Sequence, residues 1–380
     1  MAKNGHMSRP SPGAPWHGPT PWQGPAPWQG PYHGPHQGSH PYGAPYPVQP
    51  PRGPYHGPYQ PPHPWPYGSS PYPGWRPPGM RLPWTVPPPP GTTYDQLART
   101  AVHRWWRPIV GTLFIVVCFL AGTVLLATLA MAISLLAGVP MVFDDGRVFA
   151  DPLFNLGINL AVIAMGIPVV YLAAWLVQRR PPGSLSSVAF RLRWDWLGRC
   201  LLVAVAAVAL GQAAEIVTMA LTGLDPGLRW AGWETFLPAA VLILLLVPFQ
   251  AAAEEYFFRG WVIQAFGAYL GNPWPGIILG SIAFTALHGY TDWGILYVFG
   301  FGVLMGWLAI RTGGLEAPIA LHTVNNLAAF GFVAATGDLE GALEQGSLPW
   351  QTLSGTIVQF VVFLVLVVAM ARRRAVRYAV

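Results

Sequence analysis

The sequence predicts an all-α polytopic membrane protein of about eight transmembrane helices, preceded by a disordered Pro/Gly-rich tail. Three observations lead there. Hydrophobic residues make up 53% of the 380 and charged residues only 9%, whereas a soluble domain carries about 25% charged residues. The 42 prolines and 43 glycines are spread unevenly, most of the prolines falling in the first 92 residues. From residue 108 onward, apolar stretches recur between short breaks that carry charge, Pro or Gly. A simple soluble enzyme is thereby excluded.

Residues 1–92 read as a disordered cytoplasmic tail with polyproline II character. They contain no Asp or Glu, the first acid of the chain being Asp95, and a hexad beginning Pro15-Trp16-His17-Gly18 recurs at Pro21 and Pro27. Proline removes backbone donors, glycine adds entropy, and too few aliphatic side chains are present to offset ordering. Seven of the ten histidines lie here at irregular spacings between prolines, a pattern of adventitious rather than defined metal binding. The Trp, Tyr and Arg mixture suits a membrane surface or a partner that binds Pro-rich ligands. With no apolar h-region before residue 108, a cleavable signal peptide is not expected.

The membrane domain is expected over 100–371. Its spans read as 108–138, 154–178, 198–222, 235–266, 274–291, 293–311, 315–335 and 351–371, about 20 helical residues being needed to cross a hydrocarbon core. The fifth to seventh are short or interrupted, and Pro248 is a candidate kink in the fourth. Cys118 and Cys200 fall beside or within apolar runs and read as packing residues. Arg99, Arg104 and Arg107 precede the first span; Arg179, Arg180, Arg191, Arg193 and Arg199 separate the second from the third; Arg311 follows the sixth. A basic end at 372–380 carries Arg372, Arg373, Arg374 and Arg377. Alternate loops carry Asp144, Asp145 and Asp151, then Asp225, Asp292, and Asp338 with Glu340 and Glu344. Positive-inside logic therefore predicts a multi-pass protein of the cell membrane with both termini cytoplasmic and an even number of spans. Basic residues placed at span edges set topology, so the net charge of +6 does not imply a nucleic-acid partner.

Few ionisable residues fall inside the spans: Glu215, Glu254, Glu255, Arg259, His288 and His322. Burying each costs several kcal/mol unless it is paired or hydrated, which makes all of them functional candidates. On a helix Glu255 and Arg259 are i,i+4 and share a face, while Glu254 points about 100° away. Arg259 then compensates Glu255 and leaves Glu254 suited to take a proton from water. The plain alternative is an ion pair that only holds helices together, which a second, adjacent Glu weakens. His322 and Asn326 are also i,i+4, with Asn325 pointing elsewhere. Imidazoles can bind a metal or polarise a carbonyl, and Asn can donate to an oxyanion. No HExxH occurs, so soluble-type zinc protease chemistry is not the source of the pattern. Glu215, near Gln212, reads as a hydrogen-bonded helix contact outside the site.

Glu254-Glu255-x-x-x-Arg259, Phe284-x-x-x-His288 and His322-x-x-x-Asn326, in this order on successive membrane helices, resemble the three motifs of the CPBP family. These are the CAAX-processing and bacteriocin-processing intramembrane proteases, also called the Abi family. The resemblance covers about residues 100–371 and does not explain the tail. It implies a glutamate-dependent endopeptidase acting on a membrane-associated peptide or protein, with the site Glu254, Glu255, Arg259, His288, His322 and Asn326. It implies that the first Glu activates water and that the two His and the Asn serve water or metal binding and the oxyanion. A divalent metal such as zinc, held by His288 and His322, is compatible with the pattern but not required by it.

One geometric obstacle stands out: fourteen residues from 274 to 288 rise about 21 Å on a straight helix, which would hold His288 away from the rest. A shared site therefore requires kinked or steeply tilted helices. Two other functions fit parts of the sequence. A non-catalytic scaffold or immunity-type protein would use the tail to recruit partners. A proton-coupled transporter would use Glu254 and Glu255 as a relay, but no inverted repeat accompanies them.

Overall fold

The computed structural model describes residues 82–144, 147–341 and 345–380. The chain divides into two units near residue 75, and all described residues belong to the second. The tail expected over residues 1–81 lies outside the described residues.

Inside a bilayer every backbone group must find its partner within the chain, which leaves helices as the means for apolar runs of this length to cross. The helices are α1 (Trp106–Ala137), α2 (Pro152–Ala164), α3 (Gly166–Leu176), α4 (Trp194–Leu221) and α5 (Trp233–Glu255). A π-helical turn, Tyr256–Val262, continues α5 into α6 (Ile263–Gly267). Then follow α7 (Trp274–Ala286), α8 (Asp292–Thr312), α9 (Glu316–Thr336) and α10 (Thr352–Arg373). Two short strands, β1 (Met141–Asp144) and β2 (Arg147–Phe149), form an antiparallel hairpin between α1 and α2. α2 and α3 make one crossing, Pro152–Leu176. They are interrupted at Met165 because Pro168 has no N–H for the carbonyl of Ala164 and its ring crowds that carbonyl. Pro248 was the expected kink in the fourth span, yet helical structure continues through it and the irregularity falls at Tyr256–Val262.

Each of the eight predicted spans coincides with a helix or helix pair, but the fifth is not a full-length one. α7 has 13 residues, about 20 Å of helix against a hydrocarbon core of about 30 Å. Among the described residues, seven helices are long and apolar enough to cross a membrane by themselves. Connectivity nevertheless makes α7 a crossing, because the two ends of the membrane body meet. Gly91 N–H donates to Val380 O (2.9 Å) and Val380 N–H to Thr92 O (3.0 Å). At this same end Arg99 donates to the carbonyls of Gly267 and Leu270 after α6, and Val188 N–H donates to Gly313 O after α8. At the other end Ala231 N–H donates to Ala335 O and Thr291 N–H to Gly346 O. Departure from and return to one face require an even number of crossings, so the polypeptide from Gly267 to Asp292 traverses with α7 as its helical part.

The shared end is the arginine-rich one. It is built on a buried ion pair: Arg193 Nε and Nη2 donate to the two oxygens of Glu316 at 2.8 and 2.6 Å, and Arg193 N–H adds a third bond at 2.9 Å. Glu316 is fully buried, and it opens α9. Arg180, also fully buried, is held by Gln178, Ser184 and Gln264; burial pushes its pKa down to about 9. The ordered body begins earlier than residue 92. Arg179 stacks on the Trp84 ring at 4.7 Å, Val86 N–H pairs with Arg179 O, and Tyr94 and Leu97 are fully buried. A Cβ on Gly267 would stand 1.8 Å from Asp95 O, so this docking depends on glycine at that position. Elsewhere α4 and α10 approach backbone to backbone through Gly211 and Gly355, where a Cβ on either would lie 2.8 or 2.7 Å from the other's carbonyl oxygen, as small residues permit in membrane helix pairs.

Two expectations follow from this frame. Reporters fused after Ala150 and Leu228 will read the same side of the membrane, and those after Val188 and Val380 the other; a mixed result within either pair would sink the even-crossing topology. Glu316→Gln leaves Arg193 uncompensated and lowers stability by about 3–5 kcal/mol, the scale for breaking a buried pair, read as thermal unfolding in detergent.

Candidate active site

The site forms where α9 crosses the junction of α5 with the π-helical turn. Helical phase brings Glu255 and Arg259 together, with Arg259 Nη1 donating to Glu255 Oε1 at 3.0 Å. From the facing helix His322 Nδ1 approaches the same oxygen at 2.7 Å. Glu255 is fully buried, Arg259 2% and His322 3% exposed, so the three meet at Glu255 Oε1 out of water, while Glu255 Oε2 and Arg259 Nη2 make no hydrogen bond among the described residues. An ionised carboxylate only accepts, so Nδ1 carries the proton of this bond. The Nε2 edge of His322 is then turned to Glu254, whose Oε2 lies 3.5 Å away.

Glu254 occupies a different setting although it is the next residue. Its side chain is 15% exposed. Gln250, one turn earlier on α5, donates to Glu254 Oε1 at 2.7 Å and accepts from Asn326 Nδ2 at 3.1 Å. Glu254 Oε2 is buried and makes no hydrogen bond among the described residues. It is a free acceptor beside a histidine nitrogen. Asn325 turns the other way, as its phase requires, donating to Tyr297 on α8 and accepting from Gln359 on α10.

Phe284 explains how the fifth span reaches the site. Its ring lies 4.2 Å from the Arg259 guanidinium, 6.0 Å from the His322 ring and 4.4 Å from the His288 ring. Phe258 and Phe301 flank Arg259 at 5.9 and 5.8 Å, completing an aromatic cage around the cation. His288 is thus carried to the edge of the cluster, its ring tilted against Phe284, with Nδ1 bonded to Phe284 O at 2.7 Å. The obstacle of helix rise is met because Phe284, one turn before His288, is the residue at cluster depth. Five of the six expected residues, Glu254, Glu255, Arg259, His322 and Asn326, are joined by direct polar contacts or through Gln250. His288 touches them through Phe284.

As metal ligands His288 and His322 do not converge. The Nδ1 atoms of both are engaged, and among the described residues no group of three or more His, Cys, Asp or Glu is arranged to hold a metal ion. The donor set therefore does not fit a three-ligand site. Glu215 is a helix contact as expected, accepting from Thr352 at 2.8 Å. Gln250 was missed, although its i,i+4 spacing to Glu254 repeats that of the other motif pairs. Tyr297, Asn325 and Gln359 carried no signal beyond being polar within apolar runs.

Residues 235–328, which contain all six motif positions, match the family model of type II CAAX prenyl endopeptidase Rce1-like proteins. Over this segment the chain is similar to that family. It is also 26% identical over 248 residues to an uncharacterised protein, YyaK, of Bacillus subtilis, an alignment covering 63% of this chain and 81% of that one. No solved structure matches the chain. The family model thus falls on the segment that forms the polar cluster.

Thermal unfolding separates the roles of the two glutamates. Glu255→Gln strands Arg259 in the interior and lowers stability by about 3–5 kcal/mol, and adding Arg259→Gln recovers part of the loss. Equal stability of Glu255→Gln and the wild type would show that Glu255 does not compensate Arg259.

Proposed function

We propose that the chain is a glutamate-dependent intramembrane endopeptidase that hydrolyses a peptide bond in a membrane-associated peptide or protein. The observation that carries this reading is the buried, unbonded Oε2 of Glu254 facing His322 Nε2 at 3.5 Å. A water seated beside this pair, within reach of both atoms, has an acceptor in each. Glu254 takes its proton as the oxygen attacks the scissile carbonyl, and returns it to the departing amine. Gln250 fixes the carboxylate by its bond to Oε1, and the amide of Asn326 is the nearest donor for the oxyanion once it releases Gln250. Glu255 accepts from His322 Nδ1 and holds the ring with Nε2 turned to the water. His288, on the Phe284 side, is placed to meet the substrate rather than the water. No step is routed through a metal, since the donor set does not fit one.

The arginine-rich face is assigned to the cytoplasm by the positive-inside rule, which puts both termini of this cell-membrane protein there. The tail would act on partners rather than on the chemistry, since every motif lies in the membrane body.

The test is cleavage of a peptide library by the purified full-length protein in detergent. Glu254→Gln will stay folded and lose turnover by about 10²–10⁴-fold, the worth of a general base. Near-wild-type cleavage by this variant would remove Glu254 from the role of base. A chelator that abolishes wild-type cleavage would show that a metal is required.

A further inference from the structure

We propose that Gln359 and Asn325 are positioning residues. With Asn326 and Gln250 they form a one-way chain of amides across α10, α9 and α5 that ends on Glu254. The chain turns the donor side of Asn326 to the catalytic centre and leaves Glu254 Oε2 as the oxygen that takes the proton. Its effect on chemistry rests on the peptidase reading; its existence does not.

The links run from helix to helix. Gln250 Nε2 donates to Glu254 Oε1 at 2.7 Å, and Asn326 Nδ2 donates to Gln250 Oε1 at 3.1 Å. Asn326 Oδ1 lies 3.5 Å from Asn325 Nδ2, the longest step. Asn325 Oδ1 accepts from Gln359 Nε2 at 3.1 Å, while its Nδ2 also donates to Tyr297 OH at 2.8 Å. The terminal amides, Gln250 and Gln359, are only 4% and 3% exposed, so water does not compete for them.

An amide turned over by 180° exchanges a donor for an acceptor, so a row of amides has two possible polarities. The carboxylate chooses between them, because an ionised carboxylate only accepts. Gln250 must present its N–H to Glu254, so its carbonyl faces Asn326, which must donate in turn. The same logic passes outward through Asn325 to Gln359. Turning over one member alone would set two carbonyl oxygens, or two NH2 groups, against each other. Tyr297 steadies Asn325 without setting direction, since a hydroxyl both donates and accepts. Gln359, on a third helix, supplies the N–H that holds Asn325 Oδ1 away from Asn326.

Two consequences follow for the reaction. Glu254 Oε1 is already occupied as an acceptor, so the proton lifted from water goes to the unbonded Oε2 beside His322, from which it is returned. Asn326 meets the developing oxyanion with N–H rather than with a carbonyl that would repel it. When Asn326 Nδ2 leaves Gln250 for the oxyanion, Asn325 still holds Oδ1. The plain alternative is a set of polar contacts that only ties α8, α9 and α10 together. Such contacts would add stability but would be indifferent to which way the bond at Gln359 points.

The test uses the full-length protein in detergent. Gln359→Met removes the donor, and Glu254→Gln replaces the carboxylate with an amide that no longer dictates polarity. The fall in unfolding temperature caused by Gln359→Met will be smaller in the Glu254→Gln background than in the wild type. Distant sites without a shared network add, so strict additivity would overturn the chain whether or not the wild type cleaves peptides. In cleavage assays Gln359→Met will lower kcat by about 2–30-fold, the scale of coupling through such networks, with KM unchanged. Gln359→Glu puts at this position a group that donates when protonated and only accepts when ionised. Its kcat will therefore match the wild type at low pH and fall below it as pH rises, at pH values where thermal unfolding shows it folded. Wild-type kcat in Gln359→Met, or a Gln359→Glu pH profile parallel to the wild type, would overturn the positioning role. Coupled unfolding in a protein whose wild type cleaves nothing would leave the chain standing and overturn that role together with the peptidase reading.

Discussion

A carboxylate in the middle of a membrane protein stays ionised only if cations or donors stand against it, and Glu255 has both. Arg259 from its own helix and His322 from the facing one meet a single oxygen at 3.0 and 2.7 Å. Removing three such groups from water costs several kcal/mol each, and only near-ideal geometry offsets that. The arrangement therefore fixes the register of α9 against α5, because sliding either helix by one residue would part His322 from the Glu255–Arg259 pair. Much of the remaining architecture serves that register. Arg193 and Glu316 anchor the first turn of α9 six residues before His322, and the phenyl rings around Arg259 fill the space that water would otherwise enter. The π-helical turn begins at the residue after Glu255, in keeping with the frequent placement of such turns at functional sites.

Two adjacent glutamates thus acquire different chemistry from environment alone, in the way that paired carboxylates divide roles in soluble enzymes. Glu255 spends Oε1 on Arg259 and His322 and is wholly enclosed. Glu254 has one oxygen tied to a neutral amide, Gln250, and the other free. A neutral donor orients a carboxylate without pulling its negative charge away, which is what a proton acceptor needs. Had a cation stood where Gln250 stands, Glu254 would be a second structural ion and the cluster would have no base.

The outline of this arrangement was legible in the sequence because membrane burial leaves few polar residues to choose from. Eight apolar runs marked eight helices or helix pairs, the i,i+4 spacing of Glu255 with Arg259 survived into a contact, and His322 and Asn326 both reach the cluster. What escaped was what spacing within one helix cannot encode. Gln250 stands i,i+4 to Glu254, but an uncharged amide in an apolar run costs less to bury than an ion, so it drew no attention, and its bond to Asn326 on another helix is one that spacing cannot encode. Phe284 looked like one more apolar residue, yet its ring occupies the place between Arg259 and both histidines. The shortness of α7 and the docking of residues 82–92 are likewise tertiary. They depend on close approaches such as Asp95 over Gly267 that no local pattern reports.

Hydrolysis inside a bilayer sets two demands that pull against each other. Water must reach the base, and the same path must not become a conduit for protons and ions through the membrane. A cluster whose ions are enclosed beside one carboxylate that keeps 15% exposure meets both. On the arginine-rich side Glu255 pairs with Arg259 and Glu316 with Arg193, and Arg180 is held by the neutral acceptors Gln178, Ser184 and Gln264. Beside Glu254 stand the amides of Gln250 and Asn326, which carry no fixed charge. Glu254 lies at the edge of the cluster, close enough to the paired groups to be positioned by them and uncovered enough to meet a substrate. Its position, more than its identity as a glutamate, is what the rest of the helix packing determines.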